Sequence, residues 1–77
     1  MPTALRIDGF IFTILLPPRE HRPAHVHIGK AGTTVVVELG TLRIRKNTMS
    51  NADTRAAVRH VIANADALLN EWRKYHG

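Results

Sequence analysis

The sequence has 77 residues, which is enough for one domain and too few for two. It contains no cysteine, so disulfides and any zinc or iron–sulfur site with cysteine ligands are excluded. Eleven lysines and arginines against six acidic residues give a net charge of +5 with neutral histidines. This excess of positive charge favours association with phosphates, nucleic acid or an acidic protein.

The first predicted element is a β-hairpin. Leu5-Arg6-Ile7 alternates in polarity and runs into Asp8-Gly9, a strong two-residue hairpin signal because glycine tolerates a positive φ. The run that follows, 10–16, is apolar at both alternating positions. Such a run predicts a central strand covered on both faces, and Pro17-Pro18 ends it because proline cannot donate to the ladder.

A charged loop at 19–22 leads to the stretch around which the chain is organised, His25-Val26-His27-Ile28. Successive side chains on a strand point to opposite faces. His25 and His27 therefore share one face, and Val26 and Ile28 share the other. Two imidazoles on one face suit a shared ligand, proton or metal, and they also suit an ordinary half-buried strand.

The next turn sets the register of the histidine strand. Residues 29–32 form a four-residue turn with glycine at both ends, which predicts a hairpin that pairs Ile28 with Thr33. In that register Glu38 lies on the same face as His25 and diagonal to it.

A short strand at 42–45 follows. Its alternation predicts that Leu42 and Ile44 point inward while Arg43 and Arg45 point outward. A short strand with two arginines is typical of a sheet edge that is protected against further pairing.

The last predicted element is a long amphipathic helix from about Asn51 to Tyr75. Ser50 followed by Asp53 resembles a capping box with aspartate in place of glutamate. Apolar residues recur at helical spacing beyond it, and those expected to be largely buried are Val58, Ile62, Leu69 and Trp72. Residues 64–66 are a weak stretch at which the helix can bend.

These elements predict a single α+β domain over residues 1–77, with a small antiparallel sheet of four to five strands and one long C-terminal helix packed on one face. One helix covers only one face of a sheet. The apolar run at 10–16 therefore predicts that a homodimer or a second small protein covers the other face. No secretory signal is visible, which leads us to expect a cytoplasmic protein without a membrane partner.

Three segments together resemble a known family. They are Met1-Pro2-Thr3-x-Leu5-Arg6-Ile7-x-Gly9-Phe10, Pro23-x-His25-Val26-His27-Ile28 and Leu68-Leu69-x-x-Trp72-x-x-Tyr75. They resemble a bacterial family of small domains of unknown function that usually carries Pro-Pro-His-Val-His-Val at its centre. The resemblance implies a short cytoplasmic α+β protein, often encoded beside another small protein in the manner of a toxin–antitoxin pair. It implies no activity.

This chain departs from the family pattern just before the first histidine. Arg22, Pro23 and Ala24 stand where the family commonly has an acidic residue and two prolines. The nearest acidic residue is Glu20, so a role for a carboxylate directly before the proline does not carry over.

A metal site is one interpretation of the histidine pair. His25 and His27 with Glu38 form a two-histidine, one-carboxylate set for a divalent metal, and His21 or Glu20 is a further candidate ligand. We expect no other cofactor.

Acid–base catalysis is a second interpretation. One of His25 and His27 would remove the 2′-hydroxyl proton of RNA and the other would protonate the leaving oxygen, because an imidazole exchanges protons near neutral pH. Basic side chains would stabilise the charge on the phosphate: Arg22, Arg43, Arg45 and Lys46. In a third, structural interpretation the histidines hydrogen-bond the loop at 17–23 or line an interface.

The preferred function is a non-enzymatic binding module, one half of a toxin–antitoxin-like pair. Its basic surface would bind RNA, DNA or an acidic protein, and the residues assigned to it are Arg22, Arg43, Arg45, Lys46, Arg55 and Arg59. Arg55 and Arg59 lie one helical turn apart, a spacing that is also typical of a solvated helix face. The rival function is a histidine-dependent phosphodiesterase or ribonuclease.

Overall fold

A computed structural model describes the backbone at residues 3–14 and 23–76. Five strands are followed by two helices: β1 (Thr3–Ile7), β2 (Phe10–Thr13), β3 (His25–Lys30), β4 (Thr33–Glu38), β5 (Ile44–Asn47), α1 (Asn51–Ala63) and α2 (Ala65–His76). The strands form one sheet in the order β1-β2-β3-β4-β5, and every neighbouring pair is antiparallel. The predicted α+β fold is therefore confirmed.

The first hairpin turn is the predicted one. Asp8 and Gly9 have φ values of 51° and 83°, and Ile7 pairs with Phe10 across them. Two central residues with positive φ define a type I′ turn, whose twist matches that of the flanking strands.

The second hairpin differs from the prediction by two residues. Its turn consists of Ala31 and Gly32 alone, with φ values of 49° and 81°, so Lys30 pairs with Thr33. The predicted pairing of Ile28 with Thr33 was wrong, because a two-residue turn with positive φ at both positions is tighter than the four-residue turn that the two glycines indicated. A shift of two residues keeps each side chain on its predicted face.

The predicted long helix is broken at Asn64, within the stretch where a bend was expected. The Asn64 backbone has φ −120° and ψ 20°, and its side-chain amide donates to the carbonyl oxygen of His60 at 2.8 Å. Asparagine commonly satisfies a backbone carbonyl in this way and so competes with helix continuation. The Ser50 half of the predicted capping box is present, since the hydroxyl of Ser50 accepts from the backbone N–H of Asp53 at 3.1 Å. The Asp53 carboxylate accepts instead from Nζ of Lys30, also at 3.1 Å.

The hydrophobic core lies between the helices and one face of the sheet, here called the helix face. Its buried side chains are Phe10, Phe12, Ile14, Val26, Ile28, Val35, Val37, Leu39, Met49, Ala57, Val61, Leu68 and Trp72. Trp72 is 5% exposed, as predicted, while Val58 and Leu69 pack against the core and are half-buried. The prediction that Ile62 is buried was wrong, since its side chain is 57% exposed. Successive residues of a helix are rotated by about 100° around its axis, and the preceding residue, Val61, already points into the core.

The apolar second strand is an interior strand of the sheet, as predicted, because it pairs with β1 on one side and with β3 on the other. β3 occupies the middle of the sheet and β2 lies beside it. Phe10, Phe12 and Ile14 are buried on the helix face, whereas Ile11 is 40% exposed. Residues 15–16, also assigned to this strand, lie outside the described residues, as do 17–22. Coverage of the second face by another chain stays a prediction.

β5 is an edge strand, as predicted, but it starts two residues later. Leu42 has a φ of 63° and its N–H donates to the carbonyl oxygen of Glu38 at 2.9 Å, so it belongs to the turn before β5. Ile44 pairs with Val37 and so lies on the helix face. It is nevertheless 41% exposed, since an edge strand has a neighbour on one side only. No helix in the described part of the chain is long and apolar enough to cross a membrane.

Candidate functional site

The face of the sheet opposite the helices carries the candidate site. We call it the histidine face. Its residues alternate with the core positions along β2, β3 and β4 and pair with one another across the sheet: Ile11, Thr13, His25, His27, Gly29, Thr34, Val36 and Glu38. Directly paired residues in antiparallel strands point to the same side. The predicted sharing of one face by His25 and His27 follows from this register.

Both histidines line a cavity of about 190 Å³ together with Val36, Arg45 and Lys46. We call it the imidazole cavity. The ring centroids of His25 and His27 are 5.4 Å apart and the rings are inclined by 60°. The cavity thus combines two proton-exchanging groups with two cationic side chains.

A bulge in the edge pairing brings both cations to this cavity. Val35 pairs with Asn47 and Val37 pairs with Ile44, so the single residue Val36 faces two residues of β5. Those two residues are Arg45 and Lys46. A β-bulge changes the direction of side chains at a sheet edge, and here it places two consecutive cations beside the histidines.

The imidazole of His25 is buried and oriented by a hydrogen bond to the backbone. Its side chain is 3% exposed, and its Nδ1–H donates to the carbonyl oxygen of Pro23 at 2.8 Å. A carbonyl oxygen only accepts, so Nδ1 carries the proton in this hydrogen bond. The same bond is the kind of loop contact that the structural interpretation requires.

Helix α2 reaches the start of β3 through Trp72. The centroid of the indole ring lies 5.1 Å from that of the His25 ring, and the indole also stacks on the ring of His76, with 3.8 Å between the centroids. The sequence reasoning did not include His76 in the site. Its spacing of four residues from Trp72 puts the two side chains on one helix face and was the available signal.

Glu38 lies directly opposite His25 rather than diagonal to it. Its carboxylate accepts from the hydroxyl of Thr41 at 2.8 Å and lies 4.0 Å from Nε of Arg45. Among the described residues, no group of three or more His, Cys, Asp or Glu side chains is arranged to hold a metal ion. The structure gives no support to the predicted metal set of His25, His27 and Glu38, and Glu20 and His21 lie outside the described residues.

The predicted basic surface is divided between the two layers. Arg45 and Lys46 line the imidazole cavity, and the exposed Arg43 precedes them at the same edge. Arg55 and Arg59 are exposed on α1, which packs on the helix face. The structure therefore brings the β5 cations to the histidines and does not bring the helix arginines there. Arg22 lies outside the described residues.

A second cavity of about 490 Å³ adjoins the first on the histidine face. Its lining includes apolar and hydroxyl side chains: Ile11, Thr13, His27, Ile28, Gly29, Thr34, Val36 and Lys46. We call it the apolar groove. It shares His27, Val36 and Lys46 with the imidazole cavity. The sequence reasoning missed this groove, although the two-sided apolar run at 10–16 signalled apolar surface on this face.

Comparison with known proteins gives one match. The DUF4160 family, described as a domain of unknown function, matches residues 9–73. The matched region contains all the described residues that line the imidazole cavity and the apolar groove. No curated protein and no solved structure matches the chain significantly.

Proposed function

The chain belongs to the DUF4160 family, and we propose that this member is a small basic module that binds nucleic acid through the histidine face. The observation that carries the proposal is the imidazole cavity, where Arg45 and Lys46 lie beside His25 and His27. Cationic side chains that face one cavity are suited to a phosphate, which also accepts hydrogen bonds from imidazole N–H groups.

The electrostatics of the whole chain support the same ligand. The net charge is +5, and among the residues that the structure describes no acidic side chain lines the imidazole cavity. The neighbouring carboxylate of Glu38 is engaged by Thr41 and lies near Arg45. A polyanion approaching this edge of the sheet would therefore meet positive charge, and binding of this kind weakens as salt displaces it.

The test compares two double variants that each remove two positive charges. Arg45→Ala/Lys46→Ala empties the imidazole cavity of cations, and Arg55→Ala/Arg59→Ala removes two exposed cations from α1. Binding of a labelled RNA is measured by fluorescence anisotropy over a range of salt concentrations. The first variant should reduce the slope of log K against log salt by about 2, and the second should change it little.

Equal losses in the two variants would show that charge alone, and not the histidine face, governs binding. If RNA and DNA both fail to bind at low salt, the nucleic-acid proposal fails. In that case an acidic protein becomes the ligand to test against the same two variants.

Ribonuclease activity is a second candidate because His25 and His27 lie 5.4 Å apart in the same cavity as the cations. In such a reaction one imidazole takes the proton of the 2′-hydroxyl, the 2′ oxygen forms a bond to phosphorus, and the bond from phosphorus to the 5′ oxygen breaks. The other imidazole gives a proton to the departing 5′ oxygen. Arg45 and Lys46 would stabilise the phosphate charge.

Cleavage assays separate the two candidates. RNA is incubated with the wild type, with His27→Ala and with the double variant His25→Ala/His27→Ala, each with and without chelator. His27→Ala is the key variant, because His25 is buried against Trp72 and its replacement also removes packing. Cleavage that is lost in folded His27→Ala supports the enzyme, and chelator sensitivity would add a metal. Salt-dependent binding without cleavage supports the module.

We further propose that the protein acts in the cytoplasm as one half of a toxin–antitoxin-like pair, as a homodimer or with a second small protein. The family resemblance and the 40% exposure of Ile11 support this. Light scattering across a concentration series, alone and with the product of the adjacent gene, tests it. A monomer at every concentration that does not bind that product would contradict it.

A further inference from the structure

We infer that the nucleic acid bound by the histidine face is single-stranded, with a phosphate in the imidazole cavity and a base of the same strand in the apolar groove. This inference rests on the proposed function, and it specifies the class of nucleic acid and the place of its base. The observation behind it is that the two cavities adjoin, since both are lined by His27, Val36 and Lys46.

The floor of the apolar groove is flat because of one glycine. Gly29 pairs with Ile11 on one side and with Thr34 on the other, so these three residues form a row across the sheet on the histidine face. The two outer strands are separated by two inter-strand spacings, about 10 Å in all. Gly29 has no side chain in the middle of that row, which leaves a slot between the side chains of Ile11 and Thr34.

The glycine is not required by the backbone at this position. Gly29 does not have a left-handed φ, and among the described residues a Cβ built on it would meet the carbonyl oxygen of Thr33, at an ordinary 3.8 Å. A side chain at this position would instead extend over the histidine face. The absence of a side chain at Gly29 therefore shapes the groove and is not needed to form the strand.

The two cavities differ in chemistry in the same way as the phosphate and the base of a nucleotide. The imidazole cavity presents Arg45 and Lys46 to an anion, whereas the apolar groove presents Ile11, Val36 and the hydroxyls of threonines 13 and 34. An aliphatic wall suits the face of a base and a hydroxyl suits its edge. The ring of His27, which lines both cavities, can contact either part.

A duplex does not present this combination of groups. Its bases are stacked on one another and hide their faces, whereas an unpaired strand can turn a base outward onto a protein surface. A flat groove beside a cationic cavity therefore selects a single strand.

The inference is tested with three labelled oligonucleotides of equal length: a single strand, its duplex, and a sugar–phosphate strand in which every base is removed. Their affinities are measured by anisotropy at one salt concentration. The wild type should bind the single strand about tenfold more tightly than the base-free strand, the size of effect expected from docking one base, and more tightly than the duplex.

Gly29→Val is the decisive variant, because it fills the slot with a strand-favouring side chain. It should lower the affinity for the normal single strand to that for the base-free strand and leave the base-free affinity unchanged. Arg45→Ala/Lys46→Ala should instead weaken the binding of all three oligonucleotides. If Gly29→Val lowers the melting temperature, Ile11→Ser serves as the second groove variant.

Failure of the inference differs from failure of the proposed function. If the wild type binds the base-free strand or the duplex as tightly as the normal strand, the inference is wrong and a phosphate-binding module remains. Unchanged discrimination in both groove variants would also overturn it. If none of the three oligonucleotides binds at low salt, the proposed function fails, and the inference fails with it.

Discussion

The two faces of the sheet are built from the same strands and have different chemistry. Along β3, Val26 and Ile28 are at most 1% exposed in the core, while His25 and His27 on the other side line a cavity with two cations. The period of two along a strand produces this division at every pair of neighbouring residues. One strand can therefore supply apolar packing to the core and polar groups to a site.

The difference shows which residues hold the fold and which are available for binding. Side chains on the helix face are constrained by close packing, where the loss of even a methylene group is felt. On the histidine face, Ile11 is 40% exposed and Gly29 tolerates a larger side chain on steric grounds. We therefore expect substitutions on the helix face to change stability, and substitutions at the less buried positions of the histidine face, such as Ile11 and Gly29, to change binding.

The largest effect is expected for Trp72→Ala, because Trp72 packs in the core and also contacts His25 of the histidine face. The substitution empties a core position that is 5% exposed and removes the ring contacts with His25 and His76. The free energy of unfolding should fall by about 3–5 kcal/mol, enough to unfold much of a domain this small. Circular dichroism during urea unfolding measures it, and a loss below about 1 kcal/mol would contradict the core position of Trp72.

Substitutions at two adjacent residues of β2 compare how much each face contributes to stability. Phe12 is fully buried on the helix face, and Ile11 is 40% exposed on the histidine face. Phe12→Ala should lower the free energy of unfolding by about 3–5 kcal/mol, whereas Ile11→Ala should lower it by about 1–1.5 kcal/mol. Chemical denaturation of the two variants gives both values. Similar losses would mean that the histidine face is packed as tightly as the core.

The first turn determines which residues point to which face. Gly9 has a φ of 83°, so Gly9→Ala should cost about 1–2 kcal/mol, the cost of a left-handed conformation for a residue with a Cβ. Gly40→Ala is the matched control, because Gly40 has no left-handed φ and an added Cβ meets no atom of residues 3–14 or 23–76 within 4 Å. Thermal unfolding of both variants should show a clear loss only for Gly9→Ala, and equal melting temperatures would contradict the type I′ turn.

The smallest of these effects is expected at the start of the helical layer. Ser50→Ala removes the hydroxyl that accepts from the N–H of Asp53, which should cost about 1 kcal/mol. Ser50→Asp keeps an acceptor at the same position and should retain most of the stability. Urea unfolding compares the two variants, and an unchanged midpoint in Ser50→Ala would show that this cap contributes little.

The elements that depend on local chemistry were predictable from the sequence. Asp8-Gly9 and Ser50 act through their own backbone and immediate neighbours, so the turn and the helix start could be assigned without knowledge of the fold. The pairing in the second hairpin was predicted wrongly, because glycines at positions 29 and 32 are compatible with either a two-residue or a four-residue turn. The exposure of Ile62 depends on how α1 is rotated against the sheet, which helical spacing alone does not determine.

The site was predictable only in part, for the same reason. Alternation along one strand places His25 and His27 on one face whatever the rest of the chain does. The approach of Arg45 and Lys46 depends on a bulge between two other strands, and the approach of Trp72 depends on the break between the helices. Such contacts arise from tertiary structure, and no spacing in the sequence specifies them.

The central claim is that nucleic acid binds the histidine face, and valine methyl groups on β4 test it most directly. Val36 lines both cavities, whereas its neighbours Val35 and Val37 are fully buried on the helix face. In a ¹H–¹³C NMR titration with a short single-stranded oligonucleotide, the methyl signals of Val36 and Ile11 should shift, and added salt should reverse the shift. The signals of Val35 and Val37 should stay in place. Shifts confined to the exposed helix residue Ile62, or no shifts at low salt, would contradict the account.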